Sequence, residues 1–282
     1  MIGQRQNGEN VSASDESSFA AIQGGSAKRA QRMVGILDLV AARGHLTLDA
    51  MAAELSISAA TARRDLAVLA DQKLLIRTHG GATSISHGTE LPVVLRDTKF
   101  QDAKRLIARR TAALIPLERH AVALSGGTTT AGVARALAGH RELTIVTNSL
   151  SIAGLVTLYP QLKVIMTGGV LRPQSLELVG VLAENTFSAV NVGTAILGAD
   201  GVSAAAGVTT HDETEARTNH AMVAKAQRTI VVADGSKIGR VALAQMSELD
   251  QIDFLITDSS ADAVELDRIR QAGVRVILAD TE

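Results

Sequence analysis

Cysteine and tryptophan are both missing from this chain of 282 residues. Without cysteine there are no disulfides and no thiolate metal sites, a composition that fits a reducing cytoplasm and sets the expected location there. One tyrosine and four phenylalanines leave an aromatic content of 2%, too little for the stacked platforms that hold single-stranded nucleic acid. No apolar run approaches the roughly 18–20 residues that span a bilayer, so no membrane association is expected. The N-terminus also lacks the basic segment and apolar stretch of a secretory signal. An excess of either charge is lacking too. Lysine and arginine number 28 against 29 acids, a net charge of −1, which excludes a broadly basic coat for nucleic acid. A hydrophobic fraction of 46% supports a sizeable core, and the length suits two domains.

The charge is unevenly placed. Residues 28–79 hold eight lysines and arginines against five acids, a balance of +3, while 1–27 and 80–282 are each at −2. A basic module on a mildly acidic body fits a DNA reader carried by another domain. Residues 1–26, rich in Ser, Gly, Asn and Gln, are expected to be a disordered tail. The domain proper is expected over 27–82. Its first helix carries Met33, Ile36, Leu37 and Val40 on one face and stops at Gly44. His45–Thr47 suits a short strand, and Leu48, Met51, Ala52 and Leu55 mark a second helix before a turn at Ser56-Ile57.

Ser58 then makes a good N-cap for a third helix with Ala59, Ala62, Leu66 and Leu69 as its apolar stripe. Thr61, Arg63 and Arg64 lie off that stripe near the amino end, where a recognition helix meets base edges and phosphates. The small Ala59 and Ala60 let such a helix sit deep in a groove. Leu74–Thr78 suits a strand and His79-Gly80-Gly81 a tight turn, together a wing from which Lys73, Arg77 and His79 are expected to hold the DNA backbone. Asp65, which phosphate would repel, is expected in a structural ion pair. The whole is expected to be a winged helix-turn-helix that binds double-stranded operator DNA.

Residues 83–98 are polar, carry Pro92, and are expected to be a linker. The helix from 99 to 114 bears Lys99, Lys104, Arg105, Arg109 and Arg110, best explained as a solvated face. From there to residue 282, seven short apolar runs (121–125, 143–148, 163–168, 192–199, 228–234, 253–258 and 274–280) alternate with helical segments. That alternation predicts a doubly wound, mostly parallel α/β domain over 99–282, with ligands outside the carboxyl ends of its strands.

Several of those strand ends carry binding chemistry. Ser125-Gly126-Gly127-Thr128-Thr129-Thr130 offers glycines that let an anion approach the backbone, a helix start and three hydroxyls. It is no nucleotide P-loop, because Val133 stands where the lysine belongs. Asn148-Ser149 ends the next run, and Gly168-Gly169 the one after, with Arg172 following as a bidentate anion partner. Asp200 is placed to accept from sugar hydroxyls, and Lys237 supplies a cation. Such a set suits a phosphorylated sugar better than a nucleobase. The seven histidines are scattered, without the H-E-x-x-H spacing of a metal site, and no local triad signature is present.

The segments T-A-R-R-D-L and R-T-H-G-G-A resemble the DeoR-type winged helix-turn-helix, and SGGTTT, VTNS, TGGVLRP, LGADGV, GVTTHDETEA and DGSKIGR resemble that family's sensor domain. The resemblance covers roughly 28–260. It implies a transcriptional repressor of sugar-use operons with a phosphorylated sugar as effector and no other cofactor, acting as a homo-oligomer, dimer or tetramer. It also implies a sensor fold similar to ribose-5-phosphate isomerase, so an isomerase with an appended DNA module is the alternative. Those enzymes carry an acid at both ends of an Asp-Gly-Ala-Asp-Glu type loop. Here the run is Leu197-Gly198-Ala199-Asp200-Gly201, with Asp200 alone, leaving Glu213 or Glu215 as the possible base. A sugar-binding scaffold without DNA activity would have no use for the winged module. The expectation is a regulator, not an enzyme.

Overall fold

The computed structural model describes residues 13–85 and 90–279, with side chains from Ala27 onward, in two compact units that divide between Thr89 and Glu90. The first twelve residues of the expected tail lie outside the described residues. Helix α1 (Ala13–Arg43) begins well before the expected Ala27. The composition that suggested a tail does not preclude a helix, because no proline interrupts 13–26 to remove a backbone donor. α1 buries Met33, Val34, Ile36 and Val40 and ends before Gly44, whose φ of 73° suits a residue without Cβ. Strand β1 (His45–Thr47) leads into α2 (Leu48–Glu54), capped by the Thr47 hydroxyl, which accepts from the Ala50 amide.

Helix α3 (Ala59–Asp71) starts as expected, with Ser58 Oγ accepting from the Thr61 amide at 3.1 Å. Its buried stripe is Ala62, Asp65, Leu66 and Leu69, while Ala59 is exposed. A carboxylate belongs in that stripe because its charge is met there. Arg32 Nε donates to Asp65 Oδ2 at 2.5 Å, and Arg29 Nε lies 3.5 Å from Oδ1. Strands β2 (Leu75–Thr78) and β3 (Gly81–Ser84) form a hairpin around His79-Gly80, and β1 pairs with the other edge of β3. Gly81 is required there, since a Cβ would come within 2.2 Å of the Leu46 carbonyl oxygen. β3 therefore takes Thr83 and Ser84 from the expected linker, whose residues 86–89 lie outside the described residues.

The other end of that linker belongs to the second unit. Helix α4 (Val93–Arg96) buries Val93 and Leu95, so two apolar residues that periodicity could not assign anchor this stretch. Helix α5 (Gln101–Ala112) precedes a regular alternation: β4 (His120–Leu124), α6 (Thr128–Ala136), β5 (Leu143–Thr147), α7 (Leu150–Val156) and β6 (Lys163–Met166). An antiparallel hairpin, β7 (Val170–Arg172) with β8 (Glu177–Val179), interrupts it before α8 (Val181–Ser188) and β9 (Thr194–Gly198). Next come β10 (Gly201–Ser203), β11 (Gly207–Thr210) and α9 (Glu213–Val223), then β12 (Thr229–Val232), β13 (Ala244–Ser247), β14 (Phe254–Thr257), α10 (Ala263–Gln271) and β15 (Arg275–Leu278). The seven expected strands form one sheet, ordered β15-β14-β12-β9-β4-β5-β6 with every pair parallel, while β10, β11 and β13 make a small antiparallel sheet of their own.

Alternation along each strand sends side chains to two cores. Val122, Leu124, Ile145, Ile196, Ile230 and Val232 pack with Ile107 of α5, Val133 of α6 and Ile152 of α7. Their neighbours Ala123, Val146, Ala195, Leu197 and Val231 pack with Phe187 of α8, Met222 of α9 and Ile269 of α10. The sheet is thus covered on both faces, which is why its strands are apolar runs without polar alternation. Among the described residues no helix is long and apolar enough to cross a membrane.

In the first unit a buried charge, Asp65, fastens α3 to α1. Asp65→Asn leaves Arg32 without its anion. The opening free energy of α3, read by amide hydrogen exchange on the full chain, is expected to fall by about 2 kcal/mol. The amides of the seven-stranded sheet should keep their wild-type protection.

Candidate functional site

Two places gather the residues singled out by sequence. On the first unit, Arg63 and Arg64 are exposed on the first turns of α3 beside the exposed Ala60, and Arg64 Nε donates to the Ala60 carbonyl at 3.3 Å. Thr61 is half-buried, with its hydroxyl 2.9 Å from that of Ser58, so the Ser58 oxygen caps the helix. Lys73 follows α3 with φ 57°, Arg77 is exposed on β2, and His79 and Gly80 form the hairpin tip, Gly80 at φ 90°. Arg63, Arg64, Lys73 and Arg77 therefore give this small unit four exposed cations on its third helix and wing.

On the second unit the sheet order reverses between β4 and β9. The chain moves outward one way through β5 and β6 and the other way through β12, β14 and β15. The crevice outside such a switch point is where open α/β sheets bind ligands. Here the two strand ends are tied together, the Gly198 amide donating to Ser125 Oγ at 3.0 Å. Gly127, at φ 117°, turns the chain into α6, and no side chain caps that helix. Thr128 is half-exposed and Thr129 buried. Thr130 is committed to the loop, its hydroxyl donating to the Gly126 carbonyl at 2.8 Å.

The Gly126 amide is also spoken for, because it donates to the buried Glu177 carboxyl. Gly126 has to be glycine, since a Cβ would sit 2.4 Å from Glu177 Cγ. Burial pushes the Glu177 carboxyl well above the usual range, and the neighbouring Glu215 carboxylate pushes the same way.

Asp200 lies just past β9 and is the hub of the charges. Arg96 Nη1 is 3.0 Å and Lys237 Nζ 3.3 Å from its Oδ1, and the Thr210 hydroxyl oxygen, whose proton goes to the nearer Glu215, lies 3.2 Å from Oδ2. Burial raises its pKa, but Arg96, Lys237 and His211 outweigh that and hold the carboxyl below its ordinary value. Lys104 of α5 is buried, not solvated as its charge run suggested, and Nζ donates to the Arg96 carbonyl at 2.7 Å. Burial lowers its pKa to about 8 despite the nearby Asp234 and Asp97 carboxylates.

Other expected members are placed differently. Arg172, proposed as an open anion partner, is enclosed by carboxylates. It pairs with Glu90 through two nitrogens, with Asp212 at 3.2 Å and with Glu215 at 3.2 Å. Glu215 also accepts from the Thr210 hydroxyl at 2.6 Å, so this candidate base is held by two donors, whereas Glu213 is exposed. Ser149 caps α7, accepting from the Ile152 amide at 3.3 Å. Asn148 is fully buried, with Nδ2 donating to the Leu178 carbonyl at 3.3 Å and Oδ1 without a hydrogen-bond partner among the described residues. Gly168 is exposed, and Gly169 serves the hairpin, where a Cβ would lie 2.8 Å from the Val179 oxygen. Glu90, Arg96, Lys104, Glu177 and Thr210 escaped the sequence because none sits in a glycine-rich strand end. Two signals were available: Thr210 lies in the GVTTHDETEA motif, and Lys104 shares the spacing of Ala108 and Thr111, buried on the same helix.

The comparisons with known proteins fall on both units. Residues 32–88 match the model of a DeoR-like helix-turn-helix domain, and 99–259 match that of a DeoR C terminal sensor domain. A putative aga operon transcriptional repressor of Escherichia coli O157:H7 is 33% identical over 95% of this chain and 99% of its own. The glycerol-3-phosphate regulon repressor of Escherichia coli K12 is 33% identical over 82% of this chain and 92% of its own. An HTH-type transcriptional regulator of Haloferax volcanii reaches 36% over 88% and 97%. Among solved structures, a ribose 5-phosphate isomerase A of Methanocaldococcus jannaschii is 17% identical with a TM-score of 0.37, covering 49% of this chain and 54% of its own. That likeness is too distant to bear on activity.

Lys104 gives the site a signature in pH. The folded protein releases this proton near pH 8, and the unfolded chain at the ordinary 10.5. Between those values the unfolded state binds more protons, so stability is expected to rise with pH through that window. In Lys104→Met, urea midpoints measured across the same range should lose that part of the rise. A slope identical to wild type would mean that Lys104 is not held in this way.

Proposed function

This chain belongs to the DeoR family and is a DNA-binding transcriptional regulator, and we propose that it represses a sugar-use operon under the control of a phosphorylated sugar. The observation that carries the sensor half of this reading is that the loop into the uncapped α6 is tied to the end of β9 at the switch point, where Asp200 follows two residues on and pairs with Lys237. Free amides at Gly127–Thr129 and a lysine suit the phosphate, while a carboxylate held ionised suits hydroxyls. Asn148 adds an acceptor without a hydrogen-bond partner among the described residues. Arg172, Ser149 and Thr130 shape the surroundings and do not contact the ligand in this reading.

The state of the carboxylates supports binding over enediol chemistry. Asp200 is held below its ordinary pKa, which makes it a poor proton acceptor, and Glu215 is held by Arg172 and Thr210. The protein is then a regulator without catalytic activity, needing no cofactor beyond its effector and working in the cytoplasm. On the DNA side, Arg63, Arg64 and Thr61 face the major groove, and Lys73, Arg77 and His79 the backbone. A homo-oligomer sets the spacing of two half-sites.

The DNA assignment is tested on fragments that the full chain itself selects from random duplexes. Arg→Ala at the base reader of the Arg63–Arg64 pair should cost about 1–3 kcal/mol of discrimination at one base pair. At a phosphate contact, the change should weaken all sequences and reduce the salt slope by about one. Wild-type binding by both variants would remove α3 from the interface.

The sensor assignment is tested by a dye-monitored thermal shift, since there is no tryptophan to follow. A phosphorylated sugar at ~100 times its dissociation constant adds about 2.7 kcal/mol, a shift of a few degrees. Asp200→Asn and Lys237→Ala should lose that shift, and the unphosphorylated parent sugar should not produce it. Conversion of the ligand into an isomer would instead favour the enzyme.

A further inference from the structure

The stretch that begins the second unit crosses the β7–β8 hairpin as a strap and ends in the charge cluster at the switch point. Val93 and Leu95 are buried, and the Val93 amide donates to the Gln174 carbonyl at 2.8 Å. Glu90 holds Arg172 from one side and lies 3.4 Å from Arg96 Nη2 on the other. Arg96 reaches on to Asp200 at 3.0 Å. In the chain this strap follows directly on the segment that leaves β3, the last strand of the DNA-reading unit. No glycine-rich motif marks it, and the sensor-domain match begins only at residue 99.

Arg96 is equipped for more than its place in the fold requires. It shares Asp200 Oδ1 with Lys237, so two cations converge on one carboxylate oxygen. Its Nε is buried and has no hydrogen-bond partner among the described residues. A planar guanidinium with a donor unspent, sharing a carboxylate with a lysine, is matched to an anion with several oxygens.

On the reading that this sheet end takes a phosphorylated sugar, we propose that Arg96 is an effector-binding residue carried by the strap, through which occupancy of the sensor reaches the DNA-reading unit. The phosphate draws Arg96 from Asp200 and Glu90, frees Asp200 for the sugar hydroxyls, and loosens residues 90–97. A ligand shifts such an equilibrium only by its differential affinity for the two strap states, and a guanidinium that changes partners supplies that difference.

The missing cysteines make this measurable. Val94 is 56% exposed between two buried neighbours, so Val94→Cys in the full chain offers a single site for a spin label. Glycerol 3-phosphate and inorganic phosphate serve as probes, with binding followed by thermal shift and strap mobility by the label's spectrum. Probe binding should raise the mobility, and Arg96→Gln should weaken probe binding at least tenfold and abolish the response. Should Arg96→Gln not fold, Arg96→Lys keeps the charge without the fork and should weaken binding less. Glu90→Gln should raise the mobility with no probe present.

A probe that binds without moving the label overturns the proposal and leaves the sensor reading standing. So does unchanged affinity in the Arg96 variants or unchanged mobility in Glu90→Gln. If neither probe stabilises the wild type, the phosphate reading of the site fails, and the proposal fails with it.

Discussion

A parallel sheet covered on both faces has nowhere to put polar chemistry except at its ends. The apolar side chains along β4, β9 and β12 are drawn into one core or the other, from Leu124 and Ile196 on one face to Ala123 and Leu197 on the other. Polar groups inside those layers would cost free energy without partners. The chemistry of the second unit is therefore pushed past the carboxyl ends of its strands. It collects where the strand order reverses, because there the helices that follow β4 and β9 leave to opposite faces of the sheet. Ser125 and Gly198 meet at that point, and Asp200 and Lys237 follow from the next turns of chain.

Gathering so many ions in a half-buried crevice works only because they neutralise one another. Asp200 is balanced by Arg96 and Lys237, and Arg172 by Glu90, Asp212 and Glu215. Where compensation falls short, the pKa moves instead. The Glu177 carboxyl is pushed toward its neutral form, and Lys104 is brought down to about 8. Such a network is costly to leave with any member unpaired, so a ligand that takes one partner obliges the others to rearrange. That property separates a sensor from a rigid receptacle.

The first unit meets a different demand with less material. Three helices and a short sheet must present α3 and a wing, and Arg32 reaches Asp65 inside the unit to fix one helix on the other. The cations that face outward, Arg63, Arg64, Lys73 and Arg77, are left exposed. One helix thus carries a paired, buried charge on its inner face and exposed charges on its outer one.

Local pattern was enough to locate most elements, because each depends on neighbours in the chain. The Ser58 cap, the Gly44 stop, the His79-Gly80 turn and the seven apolar strands are short-range consequences of side-chain shape and period. The amino end of α1 was hidden because Ser, Gly and Gln are common to tails and to helices held in place. The short strands β7, β8, β10, β11 and β13 were missed because runs of three or four residues have no period to detect. For the site, sequence singled out Asp200, Lys237 and the Gly126–Gly127 turn because they sit in motifs, and the fold brings Asp200 and Lys237 together. That carboxylates surround Arg172 could not be read along the chain, because charge balance around a side chain is a property of the fold. Glu90 and Arg96 on the strap, Lys104 on α5, Glu177 on β8 and Thr210 on β11 come from four separate segments, and only folding decides that these groups meet. Sequence by itself determined which residues bury and where the backbone turns, since those follow from contacts a few residues apart. The tertiary structure alone decided which ions face one another, since Coulomb energy depends on distances in space that the order of residues does not contain.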